Sequence, residues 1–302
     1  MTTTATHLAA PARAAAGTGA PRGLLRSTAA DVLRLRRWPA LWVLVGVWLL
    51  LNVTFAYLFN YIAYATGSES FAAEGVSREA LLADLLPAAV PGILTDGMPM
   101  FGGAIMLTLG ALAVGSGYGW GTWKTALTQG PGRATVFGGT LVAVALGVVL
   151  TVLATLAVDL GLSASIAAVE GQAIAWPGAG DLAQAVGGGL LVFGMWAAIG
   201  VLVGVLPRSP AIAIGLGLVW SLVVENLLRG TSGLLSGMEY VTDVLPGTAA
   251  GSVAGSLSTG QGGGAPGVLT VLDGGTATLV TAAYLVAAVV VSLVVVRRRD
   301  VA

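Results

Sequence analysis

Very few side chains in this sequence could do chemistry. The one histidine, His7, lies in a run of Ala, Thr and Gly, and there is no cysteine. That excludes disulfides, thiolate metal sites and cysteine nucleophiles. It also excludes a histidine base or a multi-histidine metal centre in the apolar part of the chain. The one lysine, Lys124, follows Trp123. A phosphate-binding loop needs Gly-x-x-x-x-Gly-Lys-Ser/Thr, so Gly115, Gly117, Gly119 and Gly121 do not make one. Asp96-Gly97-Met98 and Asp159-Leu160-Gly161 do not read as an aspartyl dyad. The sequence therefore predicts no catalytic residues, and no metal or cofactor bound by this chain.

The remaining polar residues are placed by the elements that carry them. The chain has 302 residues, 56% hydrophobic and 9% charged, with a mean hydropathy of +0.89. Soluble domains carry about 25% charged residues. An ordinary cytoplasmic enzyme, a nucleic-acid binder and a disordered chain are excluded, and lipid must serve as solvent. A spanning helix needs about 20 mostly apolar residues. Six stretches qualify: residues 38–63, 98–116, 136–160, 182–206, 211–228 and 277–296. The expected fold is all-α, a polytopic membrane protein in one domain over residues 22–302. Residues 1–21, rich in Ala, Thr, Gly and Pro, are expected to form a disordered tail. The link Pro207-Arg208-Ser209-Pro210 forces spans four and five into a hairpin, with Pro210 suited to a first helical turn.

Charge sets the orientation. With the N-terminus inside, the inner segments hold Arg13, Arg22, Arg26, Arg34, Arg36, Arg37, Lys124, Arg133, Arg208, Arg297, Arg298 and Arg299, and the outer ones only Arg78 and Arg229. Twelve against two is a strong positive-inside bias, so both termini are expected in the cytoplasm. Outside, residues 64–97 suggest a short interfacial helix before Pro87. The long Gly/Ser-rich loop at 229–276 holds two apolar patches, Leu234 to Leu245 and Ala249 to Leu257, too short to span and read as re-entrant or interfacial helices. No internal repeat is clear enough to indicate an inverted-repeat transporter.

Ionisable groups in a bilayer are costly and usually functional. Asp159 closes the third stretch at its outer end, and Glu225 and Asn226 lie near the outer end of the fifth. Glu225 reads as a carboxylate reaching the interface or, with Asn226, as the lining of an outward vestibule. No ladder of acids and lysines crosses the centre, which argues against proton- or sodium-coupled carriage. Few polar landmarks favour an amphiphilic cargo. Gly200 and Gly204 form a Gly-x-x-x-Gly pair, suited to packing within the bundle or to a dimer or gating surface.

Two cytoplasmic elements stand out. From Arg22 to Trp38, Leu24, Leu25, Thr28, Val32 and Leu35 share one arc of a helix, and Arg22, Arg26, Arg34 and Arg37 share the other. That pattern predicts an amphipathic helix lying on the inner leaflet, with Arg36 and Trp38 at its end. The second is the loop after span two, where Tyr118, Trp120, Thr122, Trp123, Lys124 and Arg133 cluster. It suits an interfacial aromatic belt or a docking knob equally well.

The layout resembles the membrane subunit of bacterial type-2 ATP-binding cassette (ABC) exporters. Four stretches carry the resemblance: the basic run Leu33 to Trp42, Gly121-Thr122-Trp123-Lys124-Thr125-Ala126-Leu127-Thr128 with Arg133 beyond it, Leu245-Pro246-Gly247-Thr248-Ala249-Ala250, and the ending Arg298-Arg299-Asp300-Val301. Gly117 departs from it, standing where that family often has a Glu. The resemblance implies a permease in the bacterial plasma membrane, paired with a second copy or a homologue. A separate ATPase subunit would bind ATP and Mg and push through the N-terminal helix and the 117–133 loop. The reading from the residues alone that stays open is a non-transporting membrane anchor or sensory or assembly protein.

Overall fold

The computed structural model describes residues 20–67, 76–128, 132–232, 237–258 and 265–299. No strand occurs among the described residues, and six helices are long and apolar enough to cross a membrane. The chain is an all-α polytopic membrane protein. Most of the expected disordered tail, and the Asp300-Val301 ending, lie outside the described residues.

The spans are Pro39–Thr66, Met98–Gly119, Arg133–Val169, Ala179–Val205, Pro210–Thr231 and Gly274–Arg298. Their starts carry ordinary cap chemistry. Pro39 and Pro210 open the first and fifth. Ser209 accepts from the Ile212 N–H, and Asp273 accepts from the N–H groups of Gly275 and Thr276. The Thr276 hydroxyl, contributing most, and these N–H groups hold the Asp273 carboxyl below its ordinary value. The third span overruns its expected end at residue 160 by nine residues. Nothing after Leu160 breaks a helix until Gly171, so its 37 residues reach about 55 Å at 1.5 Å per residue, against a hydrocarbon core of about 30 Å.

The second and fourth spans form the buried axis. Gly110 lies against the Ala197 carbonyl and the Val201 amide, and Gly200 against the Leu107 backbone, so neither position has room for a Cβ. The Gly200/Gly204 pair thus packs this helix pair together. The first and fifth spans lie outside and keep apolar faces exposed, Val43, Val47 and Leu50 on one and Ile212, Leu216 and Val223 on the other.

One end of the bundle carries both the N-terminal helix Ala20–Arg37 and the chain's last turn. The opposite end is closed by short elements. The helix expected before Pro87 forms at Arg78–Ala83, but Leu81 and Leu85 bury against the bundle. The helix Val90–Asp96, unforeseen, is buried from Val90 to Thr95. The patch expected at residues 249–257 is the helix Pro246–Leu257, buried between spans without crossing. Leu234 of the other patch lies outside the described residues, and its remainder holds the helix Met238–Asp243.

A short correspondence joins two of these elements. Asp84-Leu85-Leu86-Pro87 with Gly92 matches Asp243-Val244-Leu245-Pro246 with Gly251, and both lead into a short buried helix. Each follows a span that opens on Pro and carries a π-helical turn, Val53–Leu58 in one and Val219–Val224 in the other. Both copies run in the same direction, so the correspondence is parallel, not inverted.

Candidate functional site

The two elements singled out at the termini end meet. The helix Ala20–Arg37 packs on the third span through small and polar groups. Ser27 Oγ donates to the Val136 carbonyl at 3.2 Å, and Thr140 Oγ1 donates to Asp31 at 2.8 Å. Arg34 pairs with Asp31 at 3.1 Å and donates to the Ala113 carbonyl of the second span at 3.0 Å. Burial raises the Asp31 carboxyl, against the pull of Arg34 and Thr140. The expected arcs are therefore redrawn. Arg34 leaves the basic arc and turns inward with Leu35, while Leu24 lies against Gly138 and Leu25 faces outward. The cause is specific: Arg34 satisfies a carbonyl near the end of the second span and the carboxylate one turn away. Arg26, Arg36 and Arg37 remain exposed.

The second span runs on to Gly119, and after a turn at Trp120-Gly121 the loop forms the helix Thr122–Thr128. Trp123, expected on the knob, is only 6% exposed. Its indole N–H donates to the Val114 carbonyl at 3.2 Å, and its ring lies between Tyr118 and Phe137, with centroids at 5.8 and 5.9 Å. Gly117 explains itself here: a Cβ would land in the Trp123 indole. Trp120 is 64% exposed and meets Trp38 edge-on at 5.8 Å. Thr122 is exposed, and the Lys124 side chain lies outside what is described. The Arg208 guanidinium sits 5.9 Å from the Tyr118 ring. Arg133 donates to the Arg299 carbonyl at 2.9 Å, and Arg299 to the Leu206 carbonyl at 3.1 Å. The 120s helix, the turn between spans four and five and the chain's end are thus tied in one layer, with Trp120, Thr122, Arg36 and Arg37 on its exposed side.

At the other end Glu225 packs inside the protein. It is fully buried. Its two oxygens accept from the Gly247 N–H at 2.8 Å and the Trp220 indole at 2.9 Å. The carboxylate holds the start of Pro246–Leu257, where helix N–H groups lack partners of their own. Asn226 is exposed, donating to the Leu222 carbonyl and accepting from Arg229.

The sequence reading missed a polar cluster beside the first span. Trp48 donates to Thr155 Oγ1 at 2.9 Å, and Asn52 to Asp159 Oδ1 at 2.7 Å. Tyr57 lies 3.3 Å from the Asp159 carbonyl and 3.2 Å from Ser163 Oγ. The signal was present: Thr151, Thr155, Asp159 and Ser163 repeat every fourth residue, one stripe of a helix. On the partner, Trp48, Asn52 and Tyr57 are spaced four and then five, the longer step coinciding with the π-helical turn. Beyond the cluster, Tyr61 and Tyr64 donate to the two oxygens of Glu170 at 2.7 and 2.8 Å, which holds that half-buried carboxyl below its ordinary value.

No protein-family model matches the chain, and no curated protein matches it.

Proposed function

We propose that this chain is the membrane subunit of an ATP-driven ABC transporter of the exporter type, working as a pair and driven by a separate ATPase subunit. The observation that carries the reading is the layer at the termini end. A short helix between spans two and three is anchored by buried Trp123, and the turn before it meets, through Trp120, Trp38 at the join between the N-terminal helix and span one. It leaves an aromatic and cationic surface on elements rigidly joined to spans one, two and three. A push on such a surface moves helices. The charge bias supports assigning this end to the cytoplasm of a bacterium, and the exposed faces of spans one and five suit lipid or a second copy.

Energy must come from outside the chain, because differential binding of a fuelled partner can shift the bundle between two states. The test uses the full-length chain co-expressed with a bacterial ABC ATPase subunit. Trp120→Ala and the pair Arg36→Ala, Arg37→Ala are expected to weaken association about tenfold or more, as aromatic and arginine anchors do. Unchanged association and unchanged stimulated hydrolysis would overturn the reading.

A further inference from the structure

We propose that Asp159 and Asp96 form a proton-binding site at the end of the bundle away from the termini, in a cluster completed by Asn52 and Tyr57. The inference stands on this cluster and not on the transport reading. Asp159 has no solvent exposure. One of its oxygens accepts from Asn52, and the other has no partner among the described residues. One oxygen of Asp96 is likewise buried and unpartnered. A Cβ at Gly97 would lie 3.2 Å from the far edge of the Trp48 indole, the same ring that donates to Thr155. Trp48 thus bridges the end of Val90–Asp96 to the third span one turn before Asp159.

The two carboxylates, each with an oxygen buried and without a donor, are costly to keep ionised in the absence of a cation. Among the described residues neither has an ion-pair partner. The charged or titratable groups around them are Tyr57 from the first span and Asp84 beside Asp96, and neither supplies a positive charge. A bound proton neutralises one acid and gives the orphaned oxygen a hydrogen to donate. Burial, with the charge of Asp84 adding, pushes the Asp96 carboxyl up to about 7. The π-helical turn Val53–Leu58 sits between Asn52 and Tyr57, and π-turns recur at functional sites. The site therefore joins the first span, the third span and the Val90–Asp96 helix through one exchangeable proton.

The sign of the pH effect follows. Below the ordinary carboxyl value of 3.8 the acid is neutral both folded and unfolded. Between 3.8 and about 7 the unfolded chain ionises while folded Asp96 keeps its proton, so stability falls as pH rises and levels off above. The full-length chain in lipid nanodiscs is expected to show this fall in its melting temperature, with Asp96→Asn and Asp159→Asn each flattening it. Infrared difference spectra of the unaltered protein in light and heavy water at neutral pH should show a protonated carboxyl band that each variant loses. No such band, or an undiminished slope in both variants, would overturn the proposal. So would stabilisation by sodium against choline at fixed pH that Asp159→Asn abolishes, since a metal cation would then be the ligand.

Discussion

Gly117 and Trp123 decide one another. The absence of a Cβ at 117 is what lets the Trp123 indole reach the Val114 carbonyl, so glycine at this position is a local packing requirement. Gly117→Ala is expected to destabilise the purified chain by about 1–3 kcal/mol, the usual range for overpacking, read as a lower melting temperature. An unchanged melting temperature would contradict the burial of Trp123. Glu225 makes a second residue-scale claim. Its oxygens satisfy the Gly247 and Trp220 N–H groups, so Glu225→Ala strands buried donors and costs about 1–3 kcal/mol. Glu225→Gln keeps an acceptor and is expected to fall between the two. A vestibule role would instead alter activity and leave stability alone.

At the scale of elements, the spans were legible because an apolar run of about 20 residues has one solution in lipid. Their ends were less so: Asp159 was read as closing the third span, which ran on because residues 161–169 contain no proline and stay largely apolar. The Val90–Asp96 helix, seven residues long, offers too little periodicity to be read. Side-chain direction was the other gap. A helical wheel assigned Arg34 to a basic arc, but tertiary partners on the second span and on its own helix turn it inward. Of the loop residues expected to cluster, Trp120 and Thr122 are on the surface and Trp123 is core. The contact between the two termini-end elements is testable. A double-mutant cycle on Trp38→Ala and Trp120→Ala should give a coupling of about 0.5–1.5 kcal/mol, typical of edge-on aromatic pairs. A coupling near zero would detach the N-terminal helix from the loop.

For the whole molecule, the buried axis of spans two and four is flanked by spans that keep apolar faces outward, and both ends are closed by short helices. The parallel correspondence between the element following span one and that following span five was hidden from the sequence reading because only Asp, Leu, Pro and Gly are shared. No ladder of ionisable groups was read across the apolar interior, and Asp159 was read as closing the third stretch at its outer end; there it is fully buried, and every fourth residue of the third span carried that information. The central claim is that this chain is a gate moved by fuel burnt on another polypeptide. It is tested most directly by photolabelling the purified, transport-competent complex with an azido-ATP analogue and asking which chain carries the label. The account predicts label only on a separate subunit, with hydrolysis that falls when Trp120 is replaced by Ala. Label on this chain, or turnover by this chain alone in vesicles, would contradict it.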